Sequence, residues 1–177
     1  MSWEDDLDRL VAERGSALVA YAYLLTGDLS AAEDLVQDGL VRTFGRRRPE
    51  DVVWVEAYVR RVILNTYLDG YRARRRFAAV THLVATPETA ADVLVAAGDR
   101  ADVARALTAL SPRERACVVL RFSDDLTLPE IGRRLGVSPG AVKRYLSDAR
   151  RKLEPLLGPQ PGLTTEDVPT ITKGAGR

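Results

Sequence analysis

Three short runs, Ser30-Ala-Ala-Glu33, Ser111-Pro-Arg-Glu114 and Thr127-Leu-Pro-Glu130, each place a hydroxyl side chain three residues before a glutamate. In that pattern the hydroxyl accepts from a free amide of a first helical turn, and the glutamate reaches back to the amide of the capping residue. Prolines in the second and third runs fall in that first turn, where a missing N–H costs little. Ser138-Pro139 offers a fourth start without the glutamate. No alternating apolar pattern of a strand and no internal repeat competes with this punctuation, so the chain is bound to an all-α fold.

Between the starts, apolar residues recur at helical spacing. Leu7, Leu10, Val11, Leu18, Tyr21, Ala22 and Leu25 predict an amphipathic opening helix, and Thr26-Gly27-Asp28 supplies its stop. Leu35, Val36, Leu40, Val41 and Phe44 form the next stripe, up to Gly45. A basic loop, Arg46 to Asp51, then leads to a helix running roughly from Val53 to Arg76. Residues 77–99, with Thr86-Pro87, many alanines and Gly98, lack a consistent stripe and read as a flexible linker. Helical pattern resumes near Asp102 and ends about Leu157. Residues 158–177, rich in Pro, Gly and Thr, read as a disordered tail. The expected architecture is therefore two small helical domains, 1–76 and 100–157, joined by that linker.

The most demanding spacing lies in residues 128–147. Two helices packed steeply through a short turn need a small residue where they cross, a left-handed residue at the turn and apolar clamps on both sides. Gly132, Gly136 and the set Ile131, Leu135, Val137, Val142 and Tyr145 occupy those positions. The second helix continues with Val142, Leu146, Ala149, Leu153 and Leu156 inward. Lys143, Arg144, Ser147, Arg150 and Arg151 face outward, able to read guanine edges and hold phosphates. A merely solvated basic helix is the plainer reading, but charge runs seldom coincide with the full spacing pattern.

Charge matters here only through its distribution, because the formal net charge is +1 from 26 basic and 25 acidic residues. Asp28, Glu33, Asp34 and Asp38 occupy a stretch without a basic residue, and Arg42, Arg46, Arg47 and Arg48 follow at once. Arg60 and Arg61 precede Asn65, and Arg72, Arg74, Arg75 and Arg76 close the same helix. Two separated basic surfaces suggest an extended DNA contact.

Ala32-Glu-Asp-Leu-Val-Gln-Asp38 resembles region 2.2 of the extracytoplasmic-function sigma factors. Tyr58-Val-Arg-Arg-Val-Ile-Leu-Asn65, with Asp69, Arg72 and Arg74 to Arg76, resembles regions 2.3 and 2.4, and Leu110 to Leu153 is similar to region 4. The resemblance implies binding to core RNA polymerase, with Asp34, Leu35, Gln37 and Asp38 on the β′ clamp helices and region 4 on the β flap. It further implies that Arg46, Arg47, Arg48, Arg61, Asn65, Arg72, Arg74 and Arg75 meet the melted −10 element. Ser138, Lys143, Arg144 and Ser147, with Arg150 and Arg151 on phosphates, would meet the double-stranded −35 element. Taken alone, Asn65 reads equally as a surface amide and as a base contact; its neighbours and the resemblance favour the base. Tyr58, Gly39, Gly70 and Tyr71 depart from the family pattern, and Tyr58 reads as a packed core aromatic. The resemblance also leaves room for an anti-sigma factor as a partner.

Other classes fit less well. Leu110-Ser-Pro-Arg-Glu-Arg115 and the following motif also resemble a LuxR-like transcription regulator, yet residues 1–76 lack the alternating strands of a receiver domain. An enzyme would need a nucleophile motif or a phosphate loop, and Asp124-Asp125 reads instead as acids ending a helix in a solvated loop. One cysteine, Cys117, and one histidine, His82, leave no disulfide, no tetrahedral zinc set and no evident cofactor site. Cys117 reads as a small core residue. The acidic start and the lack of any run of about 20 apolar residues argue for a cytoplasmic protein without a membrane span.

Overall fold

The structure, a computed structural model, describes residues 3–45, 52–81 and 99–159. Seven helices account for it: α1 (Trp3–Thr26), α2 (Leu29–Phe44), α3 (Val52–Thr81), α4 (Asp99–Leu107), α5 (Pro112–Phe122), α6 (Leu128–Leu135) and α7 (Pro139–Leu157). There is no strand among the described residues. None of these helices is long and apolar enough to cross a membrane.

Helices α1, α2 and α3 pack mutually as the N-terminal half. Leu10, Leu18 and Leu25 from α1 meet Val55, Val59, Ile63 and Leu64 from α3 in a core where all are essentially sealed from solvent. Each such side chain contributes about 1.5–3 kcal/mol of burial. α2 crosses α3 closely because of Gly39: a Cβ there would come within 2.8 Å of Ile63 Cγ1. The glycine that departs from the family pattern is thus explained by backbone approach.

Local details in α1 to α3 differ from the sequence expectation. α2 begins at Leu29, not after Ser30. Asp28 is its cap, extended at φ −134°, with its carboxylate accepting from Ala31 N at 2.7 Å, so Ser30 already lies in the first turn. An aspartate directly after the Gly27 turn reaches the free amides first, which the Ser-x-x-Glu pattern alone does not reveal. Val41 is 71% exposed, because Gly39 and Thr43, rather than Val41, line the crossing. Val11 is likewise exposed. α3 continues past Arg76 to Thr81, since Phe77-Ala78-Ala79 contains no helix breaker. Asp99, placed at the end of the expected linker, opens α4, while residues 82–98 of that linker, His82 included, and residues 160–177 of the expected tail lie outside the described residues.

The C-terminal half follows its capping signals closely. Ser111 and Thr127 form complete capping boxes with Glu114 and Glu130, and Ser138 caps α7 by accepting from Ala141 N at 3.1 Å. Gly136 ends α6 in the left-handed region at φ 67°. At Gly132 a Cβ would lie 2.7 Å from the Val137 carbonyl oxygen, so only glycine lets α6 meet the turn into α7. Glu114 is buried; its carboxylate accepts from Ser111 N and from Lys152 Nζ, both at 2.8 Å, which ties the start of α5 to α7. Cys117 is wholly buried, and burial pushes its thiol up to about 12, as expected of a core residue rather than a reactive one.

The two halves are in contact. α1 packs against α4 and α5, and α3 against α5. Asp124 therefore does not sit in a solvated loop: it accepts from Arg60 Nη1 at 3.1 Å and from the Tyr21 hydroxyl at 3.4 Å.

Candidate nucleic-acid interface

In the C-terminal half the candidate side chains are carried by the first turns of α7, whose direction is set by the Ser138 cap, the Gly136 turn and the buried Ile131, Val142 and Leu146. Lys143 and Arg144 are exposed there, and Ser147 lies one turn further along, partly buried. Arg144 lies over the Tyr145 ring at 5.6 Å, a cation–π contact that restricts the guanidinium without taking its donors. Two further cations are engaged within the protein. Arg151 pairs with Asp148, and Lys152 pairs with Glu114. Arg150 is only partly exposed. The outward group thus centres on Lys143 and Arg144 near the helix start, with Ser147 and Arg150 partly exposed beyond them, on the N-terminal part of a helix suited to a groove of negative potential. Leu156, expected inward, is 56% exposed; it stands with Val103 and Phe122 at the rim of an apolar groove between α4, α5 and α7.

In the N-terminal half the candidate face runs along α3. Tyr58, Arg61, Asn65, Asp69, Arg72 and Arg76 recur at intervals of three, four and seven residues, so they share one side of the helix, and all are exposed. Tyr58 is 47% exposed and heads this stripe, contrary to the core role expected of it. The core positions of α3 are instead Val55, Val59, Ile63 and Leu68, which leave position 58 on the opposite side. Arg74 and Arg75 are exposed as well. Asp69 accepts from Arg72 at 3.1 Å, a solvent-exposed pair of little energetic weight. Arg46, Arg47 and Arg48 lie outside the described residues.

Arg60, one residue from Arg61, points elsewhere. It donates to Glu56 at 2.8 Å and to Asp124, and its guanidinium lies 5.1 Å from the Tyr21 ring centroid. Glu56 in turn accepts from Arg14 Nε at 2.6 Å; that bond, reinforced by Arg60, holds its carboxyl below the usual glutamate range despite partial burial. The sequence grouped Arg60 with Arg61, but a step of about 100° per residue separates the two directions. Glu56 one turn earlier, the Tyr21 ring and Asp124, far along the chain, distinguish Arg60 from its neighbour.

The acidic surface is simpler. Asp34, Gln37 and Asp38 are exposed on α2, while Leu35 is half-buried against the core. Ala32, Val36 and Gly39 face inward, so the three polar residues stand on the side of α2 turned away from α1 and α3.

An all-α chain whose second half is a helix-turn-helix and whose first half is a three-helix unit with a polar, arginine-bearing face is a two-part transcription-protein architecture. The comparisons agree. The model of Sigma-70 region 2 matches residues 10–77, and that of Sigma-70 region 4 matches residues 100–153. The RNA polymerase sigma-E factor of Streptomyces coelicolor is 35% identical over 84% of this chain and 84% of its own length. The ECF RNA polymerase sigma factor SigL of Mycobacterium tuberculosis is 33% identical over 81% of this chain and 84% of its own. Among solved structures, the sigma factor RpoE of Bartonella quintana, crystallised with the anti-sigma factor NepR, superposes with a TM-score of 0.64 at 25% identity, covering 86% of this chain and 96% of that one. The chain belongs to the extracytoplasmic-function family of RNA polymerase sigma factors.

Proposed function

We propose that this sigma factor, a non-catalytic cytoplasmic initiation factor, divides promoter recognition between its two halves once it is bound to core RNA polymerase. The observation that carries the reading is the exposure of Lys143 and Arg144, with Ser147 partly exposed one turn further on, along a helix held on its other face by the buried Val142, Leu146, Ala149 and Leu153. In this reading they contact base edges of a double-stranded −35 element, with Ser138, Arg150 and Arg151 on phosphates. The α3 face takes the melted −10 element: Asn65 pairs with an extruded base, Arg61, Arg72, Arg74 and Arg75 hold the backbone, and Arg46, Arg47 and Arg48 complete the pocket. Tyr58 joins them as a stacking surface, a role that its exposure beside Arg61 and Asn65 supports.

Asp34, Gln37 and Asp38, with Leu35 beneath them, form the proposed contact with the β′ clamp helices, an acidic surface for a basic partner. The apolar groove rimmed by Val103, Phe122 and Leu156 is the surface assigned to the β flap. An anti-sigma protein is the expected negative partner, because the similar Bartonella sigma factor was solved bound to one.

Run-off transcription with purified core polymerase tests the reading. Initiation from a matching promoter should require the protein and fail with an Asp34→Ala, Gln37→Ala variant that still folds. Initiation that proceeds without the protein, together with salt-sensitive duplex binding in the absence of polymerase, would instead identify a stand-alone regulator of the LuxR-like kind.

A further inference from the structure

We infer that the apolar groove between α4, α5 and α7 is covered in the free protein by the chain's own residues 160–177, with Leu163, Val168 and Ile171 as anchors. The competition with polymerase that follows rests on the assignment of this groove to the β flap. The groove, which Leu24 of α1 also lines, has a volume of about 720 Å³. Concave sites that bury a ligand typically hold about 300–1,000 Å³. Leu107, Val119 and Leu153 in its lining are buried, whereas Val103, Phe122 and Leu156 are 36%, 54% and 56% exposed. These are three of the nine large apolar side chains exposed among the described residues, and they gather on one concavity instead of scattering singly. Such a contiguous apolar patch marks an interaction surface.

Position, pattern and charge select the occupant. α7 places Leu156 and Leu157 in the groove lining and stops there. Gly158 takes φ 76° and ψ −176°, a conformation open to glycine, so the chain leaves the α7 axis at the edge of the groove. Leu163 follows Leu157 by six residues, an extended reach of about 20 Å. Pro161 and Pro169 disfavour a helix, and in a polyproline-type extension with three residues per turn Val168 and Ile171 share one face. Glu166 and Asp167 stand between the anchors Leu163 and Val168. The groove offers them Arg105, whose 3.4 Å pair with Asp102 is solvent-exposed on both sides and holds the guanidinium weakly. A segment tethered this closely has an effective concentration in the millimolar range, so modest anchors suffice to keep the groove filled.

The groove cannot hold this segment and the flap together. An occupancy of about nine-tenths lowers the apparent affinity for core polymerase about tenfold, because only the uncovered fraction is competent.

A nitroxide on Thr165→Cys in the full chain tests the docking without polymerase; Cys117 is buried and stays unlabelled. The label should broaden the methyl NMR signals of Val103, Val119 and Leu153 and spare those of Val59 and Ile63. Adding Leu163→Asp, Val168→Asp and Ile171→Asp to the labelled chain shows what tethering alone produces, and should relieve the broadening. Unlabelled, that triple variant should bind core polymerase about ten times more tightly than the wild type. Equal broadening with and without the anchors would overturn the inference. Broadening of an unlabelled chain mixed with a labelled one would assign the groove to a second copy and overturn the intramolecular cover. A covered groove with equal polymerase affinity of both proteins would overturn the competition and the flap assignment, while promoter-dependent initiation would still support the sigma reading. If neither protein binds core polymerase, the sigma reading fails and the nitroxide alone decides the docking.

Discussion

The two halves hold their candidate DNA-facing side chains by different means. In α7 the working residues follow directly upon a cap and a glycine turn, so their direction is fixed by contacts within about twenty residues of sequence. In α3 they lie in the middle of a long helix, and their orientation depends on how that helix beds against α1 and α2. The first arrangement is written locally and tolerates little change in its turn. The second is written in packing, where a neighbouring side chain can move to absorb an alteration.

Glycine replacements should expose that contrast most strongly. Gly132→Val would press its side chain onto the Val137 carbonyl, a backbone atom that cannot step aside. It should cost about 3 kcal/mol, the upper end for overpacking, measured by denaturant unfolding. Gly39→Ala presses chiefly on Ile63 Cγ1, a side-chain rather than a backbone atom, and should cost less, about 1 kcal/mol, the lower end for overpacking. Equal losses at both sites would erase the distinction drawn between the halves.

Removing an outward group should leave stability alone. Arg144→Ala should forfeit about 1–3 kcal/mol of discrimination between matched and mismatched −35 sequences in the polymerase complex. Unfolding of the same variant should follow that of the wild type; a matching loss of stability would mean that Arg144 serves the fold rather than the promoter.

Smaller effects separate the two possible starts of α2. Asp28→Ala should destabilise the N-terminal half by about 1 kcal/mol, whereas Ser30→Ala should stay within a few tenths. The reverse order in thermal melts would restore the capping box that the sequence suggested.

The mildest prediction concerns pH. Glu56 has its folded pKa lowered, chiefly by the hydrogen bond from Arg14. A lowered folded value means stability that is present above the unfolded glutamate pKa and is lost as pH falls through the folded one. Glu56→Gln should therefore flatten the acid limb of the stability curve and leave the neutral region nearly unchanged in slope. An unaltered acid limb would show that this ion pair carries no linkage.

Much of the chain can be read without coordinates because its signals act over short distances. Ser111, Thr127 and Ser138 cap the helices they were expected to cap, and Gly132 and Gly136 occupy the crossing and the turn, since hydrogen bonds within one turn and steric limits on φ need no distant partner. The family resemblance was legible for the same reason: its motifs are helical faces with fixed spacing. Residues whose roles depend on remote neighbours were not legible. Tyr58 is aromatic at helical spacing and could have packed, but the face of α3 that α1 and α2 select leaves it outside. Arg60 and Arg61 are chemically equal in sequence, and Glu56, Asp124 and Tyr21 together turn Arg60 inward.

What the sequence determined by itself, then, is the set of helices, the helix-turn-helix and the sigma-factor family, all consequences of local geometry and periodic pattern. Tertiary structure alone decided that Arg115 completes the end of α1 and that Asp124 joins Arg60, because a contact between residues some ninety or sixty positions apart is set by how two packed halves meet, which no local propensity encodes.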